Sequence, residues 1–226
     1  VLKETGKEKY MAFTFIMQNI AANLGGMLTP FGNPQNLYLY SAFNIPTGEF
    51  TRIMLPPFLL AVAMLTVCCF FLKPEKLVIT EEFPEKLNRK RTVFYLALFA
   101  LSVAIVFRIV PYWIGLIVIT GALLFADRDA LAQVDYGLLG TFVMFFIFAG
   151  NMARIPAVNV FVGGLLQKDT LLVSILSCQC ISNVPSAILL SRFTDNYRAL
   201  LLGVNIGGTG TLISSLASLI TFNEFR

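Results

Sequence analysis

The chain has 226 residues, of which 57% are hydrophobic and only 13% charged, with a net charge of +4 and no histidine. A soluble domain carries about a quarter of its residues charged, so half of the expected solvating surface is missing. The lack of His excludes HExxH zinc proteases, Ser-His dyads and His metal clusters, and no GxxxxGK P-loop is present.

The charges are also unevenly spread. None lies between Lys9 and Glu49, nor within 53–72, 92–107, 109–126, 136–153, 170–191 or 199–223. Uncharged, mostly apolar runs of roughly 18 residues or more read as membrane helices. The pattern is that of an all-α membrane protein crossing a lipid bilayer several times. The basic excess sits in connecting loops and forms no stripe suited to nucleic acid. Cys68–Cys69 and Cys178–Cys180 lie inside apolar runs without metal spacing and read as small core residues.

In chain order, residues 1–9 are polar and of mixed charge. The uncharged stretch 10–48 cannot be one helix. Between Asn23 and Asn36 it holds Gly25, Gly26, Pro30, Gly32, Asn33 and Pro34, which end an ordinary helix. A span follows over 50–72, opened by Arg52 and Pro56-Pro57. Residues 73–91 form a hydrophilic linker with six Lys/Arg and four Glu, cytoplasmic by the positive-inside rule. Residues 92–107 and 112–126 predict a helical hairpin broken at Arg108 and Pro111, with Tyr112 and Trp113 as interfacial anchors. Residues 127–139 predict a short interfacial segment. Apolar pieces at 140–153 and 157–167 precede the long run 170–191, which is interrupted by Ser182-Asn183-Val184-Pro185 and predicts a re-entrant hairpin. The last run, 199–223, is broken at 205–211. Arg154, Arg192, Asp195 and Arg198 flank apolar runs; Arg192 and Asp195 have the spacing to pair, and all four read as structural.

An internal repeat organises these pieces. At an offset of 182, Asn23, Gly25, Gly26, Thr29 and Leu37 are identical to Asn205, Gly207, Gly208, Thr211 and Leu219. Gly- and Pro-broken hydrophobic segments in corresponding halves point to the binding site of a secondary transporter. Unwinding a helix in hydrocarbon exposes backbone groups that cost several kcal/mol each, which is tolerable where they line a cavity and hold a ligand. Helix N-termini there attract an anion, while carbonyls and Asn, Ser or Thr oxygens suit Na⁺. Applied to the ends, the offset places a counterpart of Ser182-Asn183 just before Val1 and a final span near 235–254. The expectation is therefore a fragment: 1–72 ending a first inverted repeat, 73–91 a linker, and 92–226 a second repeat incomplete at its C-terminus.

At these residues the chain resembles the ion-transporter superfamily of secondary permeases, which includes divalent anion/sodium symporters, citrate transporters, arsenite permeases and one class of sodium/proton antiporters. The likeness rests on Gly-Gly-x-x-Thr-Pro-x-Gly-Asn-Pro-x-Asn from Gly25 to Asn36, the Ser-Asn-x-Pro tip at 182–185 and the second Gly-Gly break at 207–211. It implies an inverted-repeat, elevator-type carrier with a re-entrant hairpin and two broken transmembrane helices, working as a homodimer without catalysis or cofactor. By the same resemblance Thr29, Asn33, Asn36, Ser182, Asn183, Thr211 and Ser214 bind substrate. Gly32, Ser182, Asn183 and Gly210 bind the coupling cation, Na⁺ or H⁺. The first expectation for cargo is a di- or tricarboxylate such as citrate; arsenite efflux, Na⁺/H⁺ antiport and a non-transporting scaffold are the alternatives. Two departures bear on cargo. Val184 stands where dicarboxylate symporters have Thr, and the second break lacks the Pro and Asn of the first.

Overall fold

The computed structural model describes residues 6–72 and 88–225, and among these every regular element is helical. In order the α-helices are α1 Met11–Gly25, α2 Pro34–Ala42, α3 Thr47–Phe70, α4 Arg89–Val106, α5 Tyr112–Ala126, α6 Arg128–Ala132, α7 Tyr136–Met152, α8 Pro156–Ile181, α9 Asn183–Leu190, α10 Tyr197–Gly207 and α11 Leu216–Phe225, with single 3-10 turns at Glu8–Tyr10 and Gly26–Leu28 on either side of α1. The chain forms two compact units, one drawn from Val1–Ile79 and Thr141–Arg226, the other from Thr80–Gly140. Most of the 73–91 linker, and with it the basis of the orientation, lies outside the described residues.

In the first unit, helix ends follow local chemistry. After α2 the chain turns at Asn44 with φ 48°, and the Ile45 N–H reaches back to the Tyr40 carbonyl at 3.1 Å. This left-handed cap suits Asn, and Pro46 then prevents continuation. The α3 helix starts at Thr47, three residues before the expected span, because the Phe50 N–H closes its first turn on the Pro46 carbonyl at 2.9 Å. Pro56 and Pro57 therefore lie inside α3, where they deprive the Arg52 and Ile53 carbonyls of their usual donors. The 26-residue α8 attains that length only across Asp169, whose φ −158°, ψ 95° is not helical. Its carboxylate accepts the Leu172 N–H at 3.0 Å and so caps a second helical segment.

The core of this unit draws on both ends of the chain. Met27, Leu39, Tyr40, Ile45, Phe50 and Met54 pack with Leu166, Cys178, Ala187, Leu190, Leu200, Leu201 and Val204. Gly203 and Gly207 let α10 approach α8, since an added Cβ would lie 2.5 Å from Ser174 Cβ and 2.9 Å from Cys178 Cβ respectively. The outer face of α3 remains open: Leu59, Leu60, Met64 and Phe70 are 57–82% exposed. An apolar face of that length is stable when lipid covers it. Arg192 and Asp195, which have the spacing to pair, form no ion pair with each other among the described residues. Arg198 instead joins Glu49 at 2.5 Å, and the Tyr197 hydroxyl donates to the same carboxylate at 2.7 Å.

In the second unit, α4 and α5 form the expected hairpin, turning at Arg108 with φ 62° and closing with the Ile109 N–H on the Ala104 carbonyl at 3.0 Å. Tyr112 and Trp113 are exposed. Asp127 caps α6 through the Ala130 N–H and holds Arg91 and the Tyr95 hydroxyl.

Candidate functional site

Both Gly-rich stretches are breaks, and they match element by element. The α1 helix ends at Gly25 and α10 at Gly207; α2 begins at Pro34 and α11 at Leu216, each pair 182 residues apart. Inside the first break the Gly32 N–H meets the Thr29 carbonyl at 3.2 Å, and inside the second the Ser214 N–H meets the Thr211 carbonyl at 3.1 Å. The entries correspond too, with the Gly26 N–H donating to Ala22 and the Gly208 N–H to Val204. One turn is thus built twice from different side chains. In the first break Gly32 lies so close to the Gly26 carbonyl that an added Cβ would sit 2.1 Å from its oxygen. In the second, Ser214 Oγ uses the equivalent proximity to donate to the Gly208 carbonyl at 2.9 Å.

The α8–α9 connection folds back on itself, with Ser177 and Ser186 hydroxyls 2.9 Å apart across the two arms. Its tip is Ser182, at φ 73°, ψ 160°, a region that non-Gly residues occupy at a cost of about 1–3 kcal/mol and that clusters at functional sites. The tip docks on the second break. The Asn183 N–H donates to the Ser214 carbonyl at 2.8 Å, and Ser182 Oγ reaches the same oxygen at 3.4 Å. Asn183 Nδ2 lies against Gly208, where a Cβ would come within 2.8 Å of it. Gln179, on the first arm, donates to the Gly207 carbonyl at 2.8 Å and leaves no room for a side chain at Gly210. Thr211 Oγ1 faces the Gln179 carbonyl at 3.5 Å.

Of the sequence-predicted residues, Ser182, Asn183, Gly210, Thr211 and Ser214 therefore come together at the second break. Thr29, Gly32, Asn33 and Asn36 gather at the first. There the Asn36 amide nitrogen faces three carbonyls, of Gly26 and Met27 at 3.3 Å and Thr29 at 3.5 Å. That one amide so serves carbonyls which the unwound end of α1 leaves without helical partners. Val184 packs with Ala149 and Ile188 in a small apolar cluster, so the tip position without a hydroxyl is occupied in packing.

Buried amides link the two groups, and these the sequence reading did not put in the site. Asn205 Nδ2 donates to Asn36 Oδ1 at 2.6 Å, while Asn205 Oδ1 accepts from Gln35 at 3.3 Å and Asn33 at 3.5 Å. Asn23 Nδ2 donates to Ser215 Oγ at 3.0 Å, and Asn19 Nδ2 to Ser218 Oγ at 3.1 Å. The available signal was the identity of Asn23 and Asn205 across the repeat. No side chain of either break is ionisable, so local charge comes from helix ends: carbonyls of α1 and α10, and N-termini of α2 and α11.

An apolar all-helical chain with two matched helix breaks, each rich in uncharged oxygen ligands, has the make-up of a membrane transporter. The chain belongs to the citrate transporter family, whose model matches residues 6–197. It is 36% identical over 207 residues to an uncharacterized transporter of Methanocaldococcus jannaschii, covering 91% of this chain and 56% of that protein. To the inner membrane protein YbiR of Escherichia coli K12 it is 32% identical over 216 residues, again covering 91% and 56%. The chain thus spans about half the length of the curated relatives it matches. No solved structure matches it.

Proposed function

We propose that this chain supplies part of a cation-coupled secondary carrier for a small anion, with a di- or tricarboxylate such as citrate as cargo. The docking of the α8–α9 tip on the second break carries the reading. It brings a strained turn, the N-terminus of α9 and the oxygens of Ser182, Thr211 and Ser214 to one place. In this reading α8–α9 is a re-entrant hairpin, and Ser182, Asn183, Thr211 and Ser214 hold cargo together with Thr29, Asn33 and Asn36. Gly32 and Gly210, with Ser182 and Asn183, contribute oxygens to the coupling ion, Na⁺ or H⁺. Na⁺ suits carbonyl and hydroxyl ligands, which is what unwound helices offer. The two repeats, 1–72 and 92–226, are inverted in the membrane, the 73–91 linker is cytoplasmic, and the site moves with its hairpin in an elevator-type cycle. A homodimer is part of this reading by family likeness.

The test uses the full-length parent protein in proteoliposomes with labelled citrate, with and without a Na⁺ gradient. Uptake should require the gradient, and Asn183→Ala should lower it about tenfold or more, the equivalent of one lost hydrogen bond of about 1.4 kcal/mol. Ser182→Gly separates site from scaffold: relief of the positive φ should preserve or raise the melting temperature while uptake falls. Sodium-independent extrusion of arsenite would replace the carboxylate reading. Uptake indifferent to both substitutions would remove the tip from the site.

A further inference from the structure

Resting on the carrier reading, we infer that Asn23 and Asn205 are positioning residues, each holding in place the half-site that belongs to the opposite repeat. The pair is related by the 182-residue offset, and so are the residues they reach. Asn23 donates to Ser215, and Asn33, the equivalent of Ser215, donates to Asn205. Position i of one repeat thus meets j of the other, and j meets i, which is the exchange a two-fold axis produces. Both Asn side chains are buried, at 5% and 1% exposure.

The consequences of the two contacts are specific. Asn205 fixes Asn36 by its 2.6 Å bond, and Asn36 in turn gathers the Gly26, Met27 and Thr29 carbonyls. The second repeat therefore sets the direction of the first break's carbonyls. On the other side, Ser215 Oγ accepts from the Ser218 N–H at 3.1 Å at the start of α11. Asn23 therefore steadies the N-terminus that follows the second break. A buried network of this kind is strengthened when every member is satisfied and fails as a unit. No buried side-chain polar atom among the described residues lacks a partner.

Plain helix glue would use the same residue type, so the test must read direction. Hydrogen exchange of the full-length protein in nanodiscs provides it without any substrate. Asn205→Ala should speed exchange about tenfold or more in 26–36, and Asn23→Ala in 208–218, each change falling mainly in the opposite repeat. Loosening confined to the substituted repeat, or spread evenly, overturns the inference. If the alanine variants fail to fold, Asn23→Ser decides with and without Ser215→Asn: restored protection of 208–218 in the double variant supports the clasp, and its absence overturns it. In proteoliposomes, Asn205→Ser should raise the citrate KM with kcat largely kept. A wild-type protein that moves no citrate would sink the proposed cargo, while the exchange pattern would still decide the clasp.

Discussion

At Gly32 a single methyl group has no room, because the Gly26 carbonyl oxygen would lie 2.1 Å from it. Gly25, seven residues earlier, has nothing within 4 Å of the same added atom. Gly32→Ala should therefore destabilise the protein by about 1–3 kcal/mol or more, as overpacking does. Gly25→Ala, inside a helix, should be neutral or slightly stabilising. Thermal unfolding in detergent compares the two, and equal losses would mean that the close approach at the break is not what holds it. Residue-scale legibility was uneven. Thr29, Gly32, Asn33 and Asn36 stood out as residues that break apolar sequence. Gln35 and Gln179 did not, because a glutamine inside a helix carries no sign of its partner 170 or 28 residues away.

At the scale of elements, the apolar runs and their Gly and Pro interruptions were legible to within about four residues, since helix termination is a local property; the second break lies at 208–215 rather than 205–211, and α7 starts at Tyr136, inside the expected interfacial segment. The start of α3 lies three residues before the expected 50, and Pro56-Pro57 fall inside the helix rather than at its opening, since proline is excluded from helix interiors only on average. Here the Pro46 carbonyl had already nucleated the helix nine residues ahead of the pair. The division of α8 at Asp169 was visible as a gap between apolar runs, and its cap carries a prediction. Asp169→Ala removes the acceptor of the Leu172 N–H and should cost about 0.5–2 kcal/mol. Asp169→Ser should restore most of it. Faster hydrogen exchange over 170–175 in the alanine variant is the check; unchanged exchange would show that packing against α10 alone holds this arm.

At the scale of the whole molecule, each compact unit has its own fastening. In the second, the Asp127 carboxyl is held below its usual range first by the Tyr95 hydroxyl, then by Arg91 and the Ala130 N–H. A depressed carboxyl contributes stability above its unfolded pKa and loses it as pH falls through the folded one. Asp127→Asn should therefore lower the melting temperature by a constant amount above the ordinary carboxylate range, the difference fading as pH falls below that range. A difference that persists in acid would mean that shape, not charge, fastens α4 to α6. The repeat made much of the larger unit legible, because its offset predicts both breaks. The crossed amides were not, since their order arises only when distant segments meet.

The two breaks differ in permanence. Pro30 lies within the first and Pro34 ends it, and rewinding it into continuous helix would put proline in a helix interior at about 3 kcal/mol or more. Residues 208–215 hold no proline, and Leu216 retains its N–H where Pro34 has none. One opening in the chain is welded and the other only latched: of the two, 208–215, beneath the hairpin tip, is the stretch whose backbone can rewind without a proline in its way.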